Sequence, residues 1–170
     1  MLAAITQVLN QDSDTQVDVC MTSEMARRIE LWTAMYEDNA PWVDRKKVKS
    51  AQLPAAIASE VARLVTLEMK SEITGGSSAT YLNEQYQKKV LKSIRRYVEY
   101  GCAKGGLILK PYVTKTGLAI QYVQADCFFP LAFDDSGQIQ QCVFTEQFRK
   151  GQKIYTRLEV HTLQGEQIRI

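Results

Sequence analysis

The sequence predicts an α+β protein: about three helices come first, and a meander of five or six antiparallel strands follows. Three observations carry that reading. Apolar residues recur at helical spacing from Met25 to Val98, they alternate from Leu107 onward, and helix and strand patterns never interleave as a doubly wound sheet would require. The organisation that follows is a loosely ordered arm over residues 1–21, a helical lobe over 22–101, and an antiparallel β lobe over 102–170 packed on it.

The arm rests on its composition: Asn10 to Thr15 is wholly polar, between scattered aliphatics. From Thr22 or Ser23, both good N-caps, Met25, Ile29, Trp32 and Tyr36 share one helical stripe that Asn39-Ala40-Pro41 ends. A second helix opens near Pro54, which the first turn of a helix tolerates. It runs to about Ile73, and its stripe of Ile57, Val61, Leu64, Val65 and Glu68 is expected to face the core. Glu68 then needs a partner, or a place at the stripe's edge, because an unpaired buried carboxylate is costly. The third helix follows Leu82, Tyr86, Val90, Ile94 and Val98 from about Thr80, with Gly101 as its stop.

The strands are read from period two. Leu107 to Val113 and Leu118 to Val123 flank a turn over residues 114–117 with Gly117 at a positive-φ position. This hairpin is expected to pack on the helices through Leu107, Leu109, Ile120 and Tyr122. Cys127 to Phe133 leads into the turn at Asp134-Asp135-Ser136-Gly137. Gln138 to Phe148 and Lys153 to Leu163 form a second hairpin around Gly151. Gln167 to Ile170 still alternates with no closing turn, which suggests a chain that continues into a larger protein.

Composition excludes several classes. The most apolar stretch, Leu53 to Met69, carries Glu60, Arg63 and Glu68, which argues against a membrane span. Met1 to Leu9 lacks the basic region of a secretory signal, so a cytosolic protein is expected. Cys20, Cys102, Cys127 and Cys142 lie too far apart for a disulfide framework or paired metal ligands. With 21 basic and 19 acidic residues, the net charge of +2 does not make the whole chain a nucleic-acid binder.

The sequence offers no catalytic constellation, metal ligand set or cofactor motif. His161 is the only histidine; in a strand it shares a face with Glu159, a plausible ion pair, and no local nucleophile accompanies it. The glycines of residues 101–106 lack the Lys-Ser/Thr of a phosphate loop and precede a strand, so a helix stop explains them better. Asp126, Asp134 and Asp135 lack the spacing of a calcium loop, and acidic turn chemistry accounts for them. One positive feature stands out. Lys88, Lys92, Arg95 and Arg96 share one face of the third helix, and Arg45-Lys46-Lys47 with Lys49 precedes the second, so a non-specific nucleic-acid contact is the alternative to a solvated face. Trp42 beside Pro41, in a turn among charged residues, is the candidate assembly interface, and Trp32 is expected in the core.

A set of residues in order resembles the portal proteins of tailed phages and prophages of Gram-positive bacteria. They are Trp32 with Tyr36 and then Ala40-Pro41-Trp42; Glu60, Ala62 and Glu68; Tyr100-Gly101 through Gly105-Gly106 into Leu109-Lys110-Pro111-Tyr112; Tyr122-Val123, Ala125-Asp126, Phe128 and Pro130; and Tyr155-Thr156-Arg157-Leu158-Glu159 with His161. The resemblance covers about Met25 to His161. It implies a structural subunit of a homo-oligomeric ring at the capsid vertex, through which double-stranded DNA is packaged and ejected. Terminase, capsid and tail-adaptor proteins are the implied partners, and the host cytoplasm and then the virion the implied locations. The chain would correspond to the N-terminal, wing-like part, with stem and clip following it, and with neither cofactor nor catalytic role.

Overall fold

The computed structural model describes residues 2–11, 18–44, 46–47, 50–115, 117–165 and 167–170. The fold is α+β, with helices first and a strand meander after them. Among the described residues there are five α-helices, where about three are expected: α1 (Leu2–Gln11), α2 (Ser23–Tyr36), α3 (Leu53–Leu67), α4 (Ala79–Tyr86) and α5 (Ile94–Lys104). The strands are β1 (Leu107–Thr114), β2 (Gly117–Gln124), β3 (Phe128–Phe133), β4 (Ile139–Lys150), β5 (Lys153–Gln164) and β6 (Gln167–Arg169). They form two antiparallel sheets, β1-β2 and β3-β4-β5-β6. No described helix is long and apolar enough to cross a membrane.

The chain divides into two compact units, and the boundaries differ from the expected 22–101 and 102–170 lobes: residues 1–28 join 126–170, and residues 29–125 form the other unit. The reason lies in the N-terminus. Where a loose arm is expected, residues 2–11 are helical, and Ile5 of α1 is buried with Phe129, Leu131 and Val143 of the second sheet. Leu9, Val19 and Met21 pack around them, as do Leu158 and Val160 of β5. Most of the polar run, residues 12–15, lies outside the described residues. The segment before α2 also covers the outer edge of β3: the Cys20 N–H donates to the Pro130 carbonyl at 2.8 Å, and the Cys20 thiol to the Leu131 carbonyl at 3.0 Å. A proline is at home on such an edge strand, where its missing N–H leaves no ladder bond unmade.

The second sheet narrows toward the β4–β5 turn. β3 pairs with β4 only as far as Phe144, and β6 pairs with β5 only at residues 162–164. Thr145–Lys150 and Lys153–Leu158 therefore pair with each other alone, a two-stranded ribbon roughly 20 Å long at about 3.4 Å per residue. Its turn places Gly151 at φ 64°, a conformation that a side chain would strain. At the other end of β4, Asp134 closes its turn with its own carboxylate. One oxygen accepts from the Ser136 N–H, the Ser136 hydroxyl and the Gln138 N–H at 2.7–2.9 Å, and the other from the Gln140 amide at 2.9 Å. The Ser136 hydroxyl is the leading reason its carboxyl is held below the ordinary aspartate range.

In the unit of residues 29–125, α3 packs against α5. The face it buries is not the expected one. Ala58 and Ala62 are buried, Ala62 completely, while Ile57, Leu64 and Val65 are 58–61% exposed. Small side chains let two helix backbones approach closely, and Thr66 returns its hydroxyl to the Ala62 carbonyl at 2.7 Å. The helix also ends at Leu67 rather than near Ile73, and Glu68 is its exposed C-cap, with no need of a buried partner. The chain beyond it is held by Asn83, whose amide oxygen accepts from the Ile73 N–H at 2.8 Å and whose NH₂ donates to the Ile73 carbonyl.

The expected third helix is broken into α4, a π-helical turn at Gln87–Leu91, and α5. The backbone is re-satisfied by the first hairpin: the Tyr122 hydroxyl donates to the Lys89 carbonyl at 2.8 Å, and the Lys89 ammonium donates to the Leu118 carbonyl. Gly101 is helical, and the helix stops four residues later at Gly105, whose φ of 83° and N–H bond to the Gly101 carbonyl at 2.9 Å form a left-handed cap. The β1–β2 register pairs Leu109 with Tyr122 and Pro111 with Ile120, which puts Leu107, Leu109, Ile120 and Tyr122 on one face as expected. Tyr122 stacks on Tyr97 of α5 with centroids 3.5 Å apart, whereas Leu109 is 48% exposed and lies beyond the helix contact.

Candidate functional site

The basic residues do not form the continuous face expected of an unbroken helix. Lys88 lies in the π-helical turn, Lys92 in the turn that follows it, and Arg95 and Arg96 in α5. A π turn and a break between them change the angular relation that a 3.6-residue period would give. All four are exposed, and two have local partners. Lys88 reaches Glu84 at 3.5 Å, and Arg96 donates from Nε to the Tyr100 hydroxyl at 3.1 Å with its guanidinium 5.8 Å from that ring. Of the second basic cluster, Arg45 and Lys49 lie outside the described residues, and Lys47 pairs with Asp44 at 3.2 Å.

Arg96 borders a tyrosine cluster. Tyr36 and Tyr100 meet edge to face at 5.9 Å, and the Tyr36 hydroxyl donates to Glu99 at 2.7 Å. Burial, and then that donated hydrogen bond, push the Tyr36 pKa up to about 12. The cluster has the chemistry of a structural seam: phenol hydroxyls, edge-to-face rings and one carboxylate acceptor. Trp32 lies against the C-terminal cap of α5, where a Cβ built on Gly105 would come within 3.0 Å of its ring.

His161 and Glu159 are together as the strand pattern implies, with Nε2 2.6 Å from the carboxylate. Phe144 meets the imidazole edge-on at 4.9 Å. Among the described residues the four cysteines form no disulfide. Among the described residues, no group of three or more His, Cys, Asp or Glu side chains is placed to hold a metal ion.

Large apolar side chains are exposed at three places. Trp42 is 65% exposed beside exposed Pro41, in a turn that the Val43 N–H closes onto the Ala40 carbonyl at 2.9 Å. The outer face of α3 carries Leu53, Ile57, Val61, Leu64, Val65 and Leu67, each more than a third exposed. Sequence reasoning placed this stripe in the core. The competing signal was Ala58-x-x-x-Ala62, a small-residue face four residues long that suits close helix packing as well as the aliphatic stripe suits a core. The β4–β5 ribbon is the third such surface: Phe148 and Tyr155 stack with centroids 5.7 Å apart, and residues 146–157 are all exposed.

Comparison of the chain with protein-family models, curated proteins and solved structures gives no match.

Proposed function

We propose that this chain is a structural assembly module of the portal kind: the wing-like part of a subunit whose full-length form closes a ring at a capsid vertex and passes double-stranded DNA. The observation that carries the reading is the outer face of α3. A 15-residue helix that buries two alanines and leaves six large aliphatics in water is built to be covered by another surface. The ordered set of residues from Trp32 to His161 that resembles portal proteins supports the same conclusion, as does exposed Trp42.

On this reading the polar groups that could suggest chemistry have structural duties. Glu159 orients His161 against Phe144, Asp134 closes a turn, and Gly105 caps a helix. Terminase, capsid and tail-adaptor proteins are the partners, and the protein works in the host cytoplasm during assembly and then in the virion. The competing proposal, a nucleic-acid-binding module acting through Lys88, Lys92, Arg95 and Arg96, is separated by a duplex-DNA titration followed by fluorescence anisotropy over a salt series. An assembly module binds weakly, with a shallow slope of log K against log salt. A slope of about −4, one unit per engaged cation, abolished by substituting those four residues, would overturn the assembly reading in favour of the other.

A further inference from the structure

We infer that the β4–β5 ribbon of one copy seats on the outer face of α3 of a second copy, in a head-to-tail contact. The inference deepens the assembly reading and rests on it for the identity of the occupant. Register decides what the ribbon offers. Directly opposed residues share a face, so one face carries the stacked Phe148–Tyr155 pair, with Lys150 opposite Lys153 nearer the turn and the Glu146–Arg157 ion pair nearer the sheet.

Two like charges placed directly across a strand pair oppose hairpin formation, and a negative surface laid over them removes that penalty. On this face Lys150, Lys153 and Arg157 stand against Glu146, a net charge of +2, while Arg149, opposite Ile154, lies on the other face. Beyond the four-stranded part of the sheet this stretch is a two-stranded hairpin, a form that is marginal in water without a covering surface.

The α3 face has the complementary character. Ile57, Leu64 and Leu67 supply aliphatic surface for the two rings. At its C-terminal end the exposed Glu68 carboxylate joins the partial negative charge of the helix terminus, and exposed Glu72 follows, with Lys70 offsetting one of the two carboxylates. Lengths agree as well, since 15 helical residues span about 22 Å, close to the roughly 20 Å of ribbon. A ribbon-to-ribbon pairing through this face would oppose +2 to +2, which leaves the unlike surfaces as the stable combination.

Because the two surfaces differ, the contact is heterologous and leaves one copy with a free α3 face and the other with a free ribbon, the arrangement from which rings grow. Its area is modest. Phe148 and Tyr155 are each less than half exposed and contribute roughly 70–120 Å² apiece, so the pair of faces falls below the ~1,000 Å² of a stable interface. A weak, concentration-dependent association is the consequence for this chain.

The test is sedimentation velocity on the 170-residue chain, with two charge-reversed variants, Lys150→Glu/Lys153→Glu and Glu68→Lys/Glu72→Lys. Each variant alone is expected to self-associate about tenfold more weakly than the natural chain. An equimolar mixture of the two is expected to regain association, because the acidic ribbon of one then meets the basic α3 end of the other. Circular dichroism melts confirm that both variants fold, all four positions being exposed.

No association of the natural chain up to about 1 mM, unchanged association of either variant, or two weakened variants that fail to rescue each other would each overturn the inference. The readout is independent of ring closure. Rescue by mixing without a ring from the full gene keeps the contact and rejects the ring, whereas a ring indifferent to both charge reversals does the opposite.

Discussion

Replacing Ala62 with Leu tests the orientation of α3, on which the assembly reading depends. Ala62 is 0% exposed on the face that meets α5, and Leu64, two positions on, is 58% exposed. Forcing a leucine into the close helix contact overpacks it, a change that costs about 2 kcal/mol. For a unit of about 100 residues each kcal/mol moves the melting temperature by about 4–8 °C, so the midpoint should fall by roughly 8–16 °C. Leu64→Gln removes a larger apolar side chain from an exposed position and should stay within about 0.5 kcal/mol, or under about 4 °C. Thermal melts followed by tryptophan fluorescence read this unit specifically, because both tryptophans, Trp32 and Trp42, lie within residues 29–125. If Leu64→Gln costs the 2–5 kcal/mol typical of a buried leucine and Ala62→Leu is tolerated, the helix is rotated, its aliphatic stripe is core, and the argument from an uncovered face fails.

Other consequences are equally concrete. Gly105→Ala puts a side chain at φ 83° and a Cβ 3.0 Å from the Trp32 ring, so a loss of about 1–2 kcal/mol and a shifted tryptophan emission are expected; Gly106→Ala, whose Cβ would lie 3.7 Å from Ala125, should lose far less in the same melt. Tyr36 has a pKa raised from 10.0 to about 12, so the unfolded chain gives up this proton first and stability falls as pH rises between those values; Tyr36→Phe should flatten that alkaline limb in denaturant titrations. The Asp134 carboxyl is held low, so its contribution is present above the ordinary aspartate range and lost as pH falls through the lowered value; Asp134→Asn should lessen the loss of stability in acid melts. Lys92→Glu with Arg96→Glu should leave the far-ultraviolet circular dichroism unchanged, because both side chains are exposed and the Arg96–Tyr100 contact lies at the surface.

The strand half of the fold was legible because period two and turn glycines are local signals. The 107–114/117–124 and 139–150/153–164 hairpins lie within two residues of where alternation places them, and His161 meets Glu159 because residues two apart in a strand share a face. The helical half was less so. An aliphatic stripe states that a helix is amphipathic but not which of two packable faces a neighbour takes, and in α3 the alanines won. The break at Lys92 and Ser93 carries no Pro or Gly in the sequence; it depends on Tyr122, more than thirty residues away in sequence, accepting the role of partner to the Lys89 carbonyl. The α1 helix was missed because its polar C-terminal neighbours masked the one residue, Ile5, that the sheet of the same unit buries. Among the proposed site residues, Trp42 and Pro41 are exposed as an interface requires, while the basic residues depended on an unbroken third helix that does not form.

The most direct test of the assembly account is electron microscopy of the product of the full gene under assembly-permissive conditions. The account predicts closed rings with a central channel, and their loss when Ile57, Leu64 and Leu67 are together replaced by Gln in a protein that still folds. A folded full-length product that stays monomeric, or rings that form unchanged with the outer face of α3 made polar, would contradict it.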